Sequence, residues 1–244
     1  MPTTIDVLGT KRILIVASNP TEAKTGGLAG FWWAELTHSY WEFVNQGYDV
    51  VIASPDGGDL KADPWSDPRD ASKLMAEDIL SLGFINSPEH SALVQKTPSL
   101  SEISLDDYNA IFLVGGQGPM YTFVNDERVH ELVVSCYEQE KITSVVCHAT
   151  CVLLKARLSS GDLLVEDKTW TGFANSEEDY ADSFFGQQIQ PFRIEDEAGK
   201  LARTNFIVQG RFRSHAVRDG LLITGQQQYS AAATARLVID ALGR

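Results

Sequence analysis

The sequence lacks the features that would assign it to a membrane or secreted class. No apolar stretch approaches the roughly 18 residues needed to span a bilayer, so we expect no contact with a membrane. Cysteine is scarce, with 3 residues in 244, and the N-terminus has neither the basic nor the apolar region of a signal peptide. A disulfide framework is therefore not expected, and a reducing, cytoplasmic location is predicted.

Positive charge is also scarce. The chain has 20 Lys and Arg against 33 Asp and Glu, a formal net charge of −13, and its basic residues are scattered. Nucleic-acid binding depends on clustered Lys and Arg, so no nucleic-acid partner is expected. The 5 histidines show neither an H-E-x-x-H pattern nor Cys/His pairs at zinc spacing, and we predict no metal site and no cofactor.

What the sequence does contain is an alternation of apolar runs and amphipathic stretches. Continuous apolar runs are typical of parallel strands covered on both faces, and they occupy residues 12–18, 48–54, 108–114 and 142–146. Helix-like spacing occupies residues 34–46, 71–82 and 126–140. This order predicts a doubly wound α/β sandwich with a mostly parallel central sheet. Since the chain has no repeat and no Pro/Ser-rich linker, residues 1–244 are expected to form one domain.

The second half of the chain is less regular. Short β-branched runs predict further strands at residues 163–171, 205–209 and 220–224. An alanine-rich segment at 230–242 predicts a closing helix. Residues 87–105, rich in Ser, Pro and polar side chains, are expected to form a surface excursion.

Cys147 is the most informative residue, because it lies where the apolar run 142–146 meets the helix-like stretch 148–157. A helix N-terminus offers unpaired N–H groups and a dipole that favour a thiolate, so this position suits a nucleophile. A buried structural thiol is the alternative. Cys151, one helical turn further, is either a resolving thiol or a packed one, and Cys136 is expected in the core.

Two further segments are placed near Cys147 by the predicted sheet. In open α/β sheets, sites form outside the carboxyl ends of the strands, where the loop Gly115-Gly-Gln-Gly118 follows a predicted strand. Paired glycines allow close approach of the backbone and can aim an N–H at an oxyanion. Glu35 lies early in a predicted helix among aromatic residues; desolvation there favours a protonated carboxyl, and interaction with the helix dipole is the alternative.

Taken together, these segments resemble the DJ-1/PfpI superfamily, and within it the Hsp31-type branch. The matching motifs run in order along nearly the whole chain: Lys24-Thr-Gly26, Trp33-Ala-Glu-Leu36, Ala53-Ser-Pro-Asp-Gly-Gly58, Val114-Gly-Gly-Gln-Gly-Pro-Met120, Val146-Cys-His-Ala149, Thr171-Gly-Phe-Ala-Asn-Ser-Glu-Glu178 and Asp219-Gly-Leu-Leu-Ile-Thr-Gly-Gln226. Several motifs in the same order are specific for the family and less specific for the reaction.

The resemblance implies a flavodoxin-like fold and a catalytic set of Cys147, His148 and Glu35. In such proteins the cysteine is the nucleophile, and the usually protonated glutamate hydrogen-bonds its sulfur. Relatives in this branch are glutathione-independent glyoxalases, which convert methylglyoxal to D-lactate without a metal. Some are described as chaperones or stress proteins, and they are commonly homodimers. A small carbonyl or other electrophilic substrate and a homodimer are therefore expected here.

Elementary chemistry agrees with this expectation. A Cys147 thiolate that adds to an aldehyde gives a hemithioacetal, whose oxyanion needs hydrogen-bond donors, and the Gly116 and His148 N–H groups are the candidates. The acidic segment 175–179 is the nearest source of an acceptor that orients His148, with Glu178 as the candidate. The predicted oxyanion and substrate contacts are Gly115, Gly116, Gln117, His148, Trp33, Tyr121 and Tyr229.

Two loops depart from the family pattern. Gln117 stands where Hsp31-type relatives commonly have a histidine in GGHG, and a glutamine cannot titrate. Gln226-Gln-Gln-Tyr229 stands where relatives commonly continue QNPA. Because both loops are expected near the pocket, the sequence leaves open whether substrate size or reaction type has shifted from that of the relatives.

Several functions remain compatible with these residues. The first is a glyoxalase III-type lyase (D-lactate dehydratase) or a related hydratase that acts on a small electrophile. A cysteine redox sensor needs only an acidic, exposed Cys147, and a stress-response holdase chaperone needs an exposed apolar patch. A cysteine hydrolase of the amidase or peptidase kind also remains open, because a thiol with an oxyanion hole suits acyl transfer.

Overall fold

A six-stranded sheet forms the centre of the molecule, seen in a computed structural model that describes residues 10–243. The strands are β1 Arg12–Val16, β2 Thr21–Glu22, β3 Leu28–Ala29, β4 Asp49–Ala53, β5 Ala110–Leu113, β6 Ile142–Val146, β7 Thr169–Trp170, β8 Asn205–Phe206, β9 Ala216–Asp219 and β10 Leu222–Gly225. The α-helices are α1 Trp33–Asn45, α2 Ile79–Asn86, α3 Pro88–Ser91, α4 Glu127–Glu138, α5 Asn175–Phe185, α6 Ile194–Ala198 and α7 Ala231–Leu242. Short 3₁₀ turns connect them.

The central sheet has the strand order β4-β1-β5-β6-β10-β9. All neighbouring strands are parallel except β9 and β10, which pair antiparallel. Every residue of β5 and β6 is buried, since helices cover both faces of the sheet. The predicted parallel α/β sandwich is confirmed, and its four predicted apolar runs correspond to β1, β4, β5 and β6.

Helices α1, α4 and α7 lie close to their predicted positions, and α1 packs against α7. The helix predicted at residues 71–82 is wrong, because α2 begins only at Ile79. Upstream, the Ser72 N–H donates to Asp70 Oδ1 at 2.8 Å, and Lys73 has a φ of 60°. Short polar side chains that bond the local backbone compete with helix formation, so residues 67–78 form turns instead.

The predictions for the second half are confirmed in part. Strand β10 and helix α7 match the expectations, whereas the strands predicted at 163–171 and 205–209 shrink to β7 and β8. Asp167 has a φ of 57° and is held by Arg203, which turns the chain before β7. The stretch after Cys147 is a 3₁₀ helix, Cys147–Leu154, and residues 87–105 contain α3 and short 3₁₀ turns. Within residues 10–243, no helix has the length and apolar character to cross a membrane.

Candidate active site

Cys147 lies at the carboxyl end of β6, at a sharp turn into the 3₁₀ helix. Its φ is 59°, a left-handed conformation that is strained for a residue with a side chain. The Thr150 hydroxyl donates to the Cys147 carbonyl at 2.6 Å and holds this turn. The backbone N–H groups of Gly116 and His148 lower the pKa of the Cys147 thiol. The turn therefore directs the thiol to the edge of the sheet where ligands bind in such folds.

Glu35 lies in the first turn of α1 and is completely buried. Its Oε2 accepts the Gly115 N–H at 2.6 Å. A Cβ placed on Gly115 would lie 2.8 Å from both Glu35 Oε2 and the Cβ of Cys147, so the carboxyl and the thiol flank this glycine. Burial raises the pKa of Glu35 to about 8, and its hydrogen bonds with Cys147 and Gly115 only partly offset this effect. Glu35 is therefore a carboxyl that carries a proton near neutral pH.

The proton on Glu35 decides the state of the thiol. Burial raises the pKa of Cys147, and a negative charge on Glu35 raises it further, while the N–H groups of Gly116 and His148 lower it. The expectation that the helix N-terminus alone favours a thiolate is corrected here, because the thiol is 3% exposed and desolvation dominates. A protonated Glu35 removes this repulsion. The titrations of the two groups are therefore coupled, and a thiolate is favoured most when Glu35 holds its proton.

His148 connects the thiol to a second buried carboxyl. Its Nδ1 lies 3.6 Å from Cys147 Sγ, and its Nε2 lies 3.0 Å from Glu178 Oε1 on α5. Phe173 stacks on the imidazole at a ring distance of 4.0 Å and fixes its plane. Because an ionised Glu178 can only accept, it places the ring proton on Nε2 and leaves Nδ1 as an acceptor facing the sulfur. The structure thus brings Glu178 to the position suggested for an orienting acid.

Gly116 lies where the loop after β5 meets the backbone of residues 30–32. Its φ is 102°, and a Cβ there would lie 2.6 Å from Gly30 O, Phe31 C and Trp32 N. Only glycine allows these backbones to meet. The buried Asp63 holds both sides of this contact, because its Oδ1 accepts the Gly30 N–H at 2.9 Å and its Oδ2 accepts the Gln117 N–H at 2.6 Å.

Asp63 is a site residue that the sequence pattern does not reveal. Burial raises its pKa to about 7, and its two backbone hydrogen bonds oppose that rise. In the sequence it appears only as the acid of an Asp-Pro step in a turn, which is a common pattern of loops. Its role as a clamp depends on Gly30 and Gln117, which are distant in the chain, so no local signal marks it.

A cavity of about 150 Å³ opens onto Cys147, Gln117 and His148. Much of its wall is aromatic, and this aromatic wall includes Trp65, Tyr180, Phe184, Phe185, Phe212 and Tyr229. Tyr229 therefore lies where the sequence placed it. Trp33 and Tyr121 are not among the lining residues. Trp33 packs against Phe31 and Phe84 with ring distances of 4.8 Å and 6.0 Å, and the Tyr121 hydroxyl donates to the Ile189 carbonyl at 2.7 Å.

The comparison with protein families agrees with this arrangement. The model of the DJ-1/PfpI family matches residues 29–241, which include every site residue described above. The chain belongs to the DJ-1/PfpI family.

Named DJ-1/PfpI relatives cover almost the whole chain. Glyoxalase 3 of Candida albicans is 24% identical over 232 residues, which cover 94% of this chain and 96% of that protein. Glutathione-independent glyoxalase HSP31 of Saccharomyces cerevisiae is 26% identical over 239 residues, covering 95% and 98% respectively. The crystal structure of Rapid Encystment Protein 24 KDa from Francisella tularensis superposes with a TM-score of 0.85 at 25% identity, covering 96% of this chain and 100% of that one. The fold is that of the family throughout.

The other cysteines of this DJ-1/PfpI protein are packed thiols. Cys136, Cys147 and Cys151 are all free and buried. The Cys151 thiol donates to the Pro119 carbonyl at 3.5 Å, and burial raises its pKa well above the usual range. Burial likewise raises the pKa of Cys136 to about 11. Since oxidation follows thiolate character and exposure, neither environment favours a resolving thiol.

Proposed function

We propose that this protein is a cysteine-dependent, glutathione-independent glyoxalase that converts methylglyoxal to D-lactate. The observation that carries the proposal is the position of the Cys147 thiol, with the Glu35 carboxyl on one side and the His148–Glu178 pair on the other. The names of the fungal relatives, Glyoxalase 3 and glutathione-independent glyoxalase, support the same reaction. A small carbonyl compound is thus the proposed substrate class.

In the reactive form Cys147 is a thiolate and Glu35 is protonated, and the first step is the addition of this thiolate to the aldehyde carbon. The new C–S bond forms as the C=O π bond breaks, and the electron pair moves to oxygen. The N–H groups of Gly116 and His148, which lower the pKa of the thiol in the free protein, are the donors proposed for that oxygen. Proton transfer from Glu35 to the oxyanion then gives a neutral hemithioacetal.

In the second step, the hydrogen on the hemithioacetal carbon moves to the neighbouring ketone carbon. His148 Nδ1 faces the sulfur without a proton and is the base that removes this hydrogen, which gives an enediolate. His148 returns this proton to the former ketone carbon from one face, which sets the configuration of the product, while the hydroxyl proton passes through Glu35 to the former ketone oxygen. The aldehyde carbon has become a thioester, and the ketone carbon has become a carbinol, so the oxidation and the reduction balance within one molecule.

In the last step, water attacks the thioester and the C–S bond breaks, so that lactate is released and Cys147 is again a thiolate. One proton of the water returns to Glu35, and the other is released with the lactate. The net reaction adds one water to methylglyoxal and consumes no oxidant, metal or glutathione. The experiment that tests the proposal is incubation of methylglyoxal with the protein in the absence of glutathione, with chiral detection of lactate. We expect D-lactate in stoichiometric amount to the methylglyoxal consumed, and racemic or absent lactate contradicts the proposal.

We expect Glu35→Gln to reduce turnover by about 100-fold, because a positioned acid or base contributes on the order of 10²–10⁴-fold. Glutamine retains an acceptor for the Gly115 N–H and a donor toward the sulfur, but it cannot take up or release a proton. The measurement is the initial rate of lactate formation from methylglyoxal. Turnover like that of the wild type means that the proton moves by another route.

A stability measurement verifies that Glu35 is protonated in the folded state. Its pKa rises from 4.5 to about 8 on burial, so the folded protein holds a proton that the unfolded chain releases. The contribution of Glu35 to stability is present below pH 4.5 and is lost as the pH rises through about 8. Asp63 acts in the same direction, and subtraction of the Glu35→Gln curve isolates Glu35. We expect the variant to gain stability relative to the wild type across this window in urea unfolding, and a constant difference argues against a buried proton.

We expect Glu178→Gln to reduce turnover by about 100-fold with little loss of stability, because it removes the carboxylate that fixes the imidazole tautomer. Proton NMR should show loss of the downfield signal of the hydrogen-bonded ring N–H. Asp179→Asn is the matched control, since it also removes one negative charge from the same helix turn. Asp179 pairs with Arg193 and not with His148. Equal losses in both variants indicate a general charge effect and not orientation of His148.

A second function, cysteine hydrolase, is favoured by one observation. The line Cys147–His148–Glu178 has the order of a nucleophile, a base and an orienting acid. The test is hydrolysis of an activated ester such as p-nitrophenyl acetate. If this hydrolysis depends on Cys147 and is faster than lactate formation, hydrolase activity replaces glyoxalase activity as the proposed function. The redox-sensor alternative is less well supported, since the Cys147 residue is 3% exposed.

A further inference from the structure

The cavity beside Cys147 is larger than a three-carbon substrate requires. Its volume is about 150 Å³, the size of an engineered apolar cavity that stays dry and takes up benzene. Methylglyoxal carries a single methyl group beyond its two carbonyl carbons. With that small group bound to the thiol, most of the aromatic wall has no partner, and an apolar surface left without contacts loses dispersion and hydrophobic stabilisation.

The wall is built from several parts of the chain, and ring contacts hold it together. Trp65, after β4, lies 4.1 Å from Phe185 on α5, and Phe184 lies 4.9 Å from Phe185. On the other side, Phe212 packs edge-on against Tyr180 at 5.2 Å and against Tyr229 at 6.2 Å. Aromatic edges and faces at these distances form a surface that suits another ring.

Polar side chains are a minority in the lining of the cavity. Gln117, His148 and Gln228 line it together with the Cys147 thiol, whereas the other lining residues are aromatic or are Leu74, Ala181 and Ile189. Among the described residues that line the cavity, none is a lysine or an arginine. Nothing in this wall therefore recognises a phosphate or a carboxylate. The arrangement suits a molecule with a reactive carbonyl at one end and an uncharged apolar group at the other.

The mouth of the cavity exposes large apolar side chains. Phe184 is 52% exposed and Tyr229 is 46% exposed. Tyr180 is 38% exposed, and Arg211 lies over its ring at 5.0 Å. A cluster of exposed aromatic residues around a cavity is a mark of a binding site, because a bound apolar group removes their surface from water.

We infer that the preferred substrates are electrophiles that carry a ring-sized apolar substituent. This assignment of substrate class rests on the proposed glyoxalase function, within which such substrates are arylglyoxals. Phenylglyoxal has such a substituent. Its ring lies against Trp65, Phe185 and Phe212 while its aldehyde carbon meets Cys147. Addition of the thiol, transfer of hydrogen to the ketone carbon and hydrolysis of the thioester add one water and give mandelate, with the same atom balance as lactate formation.

The first test compares kcat/KM for phenylglyoxal and methylglyoxal, measured as mandelate and lactate formation. We expect phenylglyoxal to be favoured on the order of tenfold or more, from burial of its ring. Ala181→Leu, which fills the cavity from α5, should lower this preference on the order of tenfold. Ala233→Leu is the matched control, since Ala233 is a half-buried helical alanine that does not line the cavity. Equal kcat/KM values, or the same loss in both variants, overturn the inference and leave the glyoxalase function standing.

The second test does not depend on glyoxalase activity. The rate of alkylation of Cys147 by iodoacetanilide is divided by the rate with iodoacetamide, and the same ratio is measured for free cysteine. Intact-mass analysis with Cys147→Ala as the blank assigns the modified thiol. A ratio on the order of tenfold above that of free cysteine, together with a lower ratio in Ala181→Leu, supports the ring preference. If neither aldehyde is turned over, this result still stands and only the proposed function fails. A ratio equal to that of free cysteine overturns the inference.

Discussion

Replacing Cys147 by alanine is expected to reduce lactate formation from methylglyoxal by roughly 10⁴-fold or more, because the proposed reaction has no path without a covalent bond to sulfur. Alanine keeps the left-handed turn at position 147, so the backbone strain there is unchanged by the substitution. The measurement is lactate formation in the absence of glutathione, with urea unfolding to show that the variant is folded.

Two controls separate the chemistry of Cys147 from the simple loss of a buried thiol. Cys151→Ala removes a fully buried sulfur one turn further along, whose partner is the Pro119 carbonyl, and it should retain turnover with some loss of stability. Cys147→Ser keeps the shape of the side chain but is a far weaker nucleophile, and it should be nearly as inactive as Cys147→Ala. Lactate formed by Cys147→Ala at the rate of the wild type places the reaction elsewhere.

Gly116→Ala is expected to lower the free energy of unfolding by roughly 2–4 kcal/mol, because a Cβ there meets atoms that cannot move away. The atoms at 2.6 Å belong to the backbone of Gly30, Phe31 and Trp32, and the φ of 102° is unfavourable for alanine. Since relief of this contact shifts the Gly116 N–H away from the sulfur, turnover should also fall by about 100-fold or more. Urea unfolding and initial rates at a temperature where both proteins are folded measure the two effects.

Gly186→Ala is the matched control for Gly116→Ala. Gly186 follows the last residue of α5 and has a φ of 70°, and a Cβ added there would meet no atom within 4 Å. The substitution therefore adds backbone strain without a steric contact, and we expect a cost of about 1 kcal/mol with turnover retained. Comparable losses in the two variants mean that strain alone, and not the close approach at Gly116, sets the effect.

The centre of the fold is predictable from the sequence, because its strands are marked by composition. The four apolar runs of the parallel sheet are β-branched and mostly buried, so each is visible without knowledge of its neighbours. The carboxyl ends of parallel strands meet at one edge, and this rule alone places Cys147, the Gly115–Gly118 loop and Glu35 together, as the structure confirms.

The features that the sequence does not reveal depend on contacts between distant segments. Asp63 acts through Gly30 and Gln117, and neither partner is recognisable from the Asp-Pro step itself. The aromatic wall is hidden because Tyr180, Phe184 and Phe185 occur in an acidic helix, where their direction depends on how α5 packs. Trp33 is an aromatic residue at a helix start, which suits either a pocket or the core, and its contacts with Phe31 and Phe84 place it in the core.

The wrong predictions at Cys147 and residues 71–82 have different physical origins. The position of the thiol at a helix start is correct, but its burial beside Glu35 outweighs the N–H groups in setting its pKa. Residues 71–78 have helix-like spacing of apolar residues, but Asp70, Ser72 and Lys73 set local turns that spacing does not register.

The order of the strands in the sheet also bears on how the chain is synthesised. β6, which carries Cys147 at its end, pairs on one side with β5 and on the other with β10, whose residues Leu222–Gly225 come late in the chain. In the folded protein β6 is buried along its whole length. In a nascent chain that has not reached Leu222, one edge of β6 is therefore unpaired, and unpaired strand edges pair readily with other chains. The strand that ends at Cys147 gains its second neighbour only when translation has passed Leu222, so a stalled or truncated ribosomal product presents this edge unpaired.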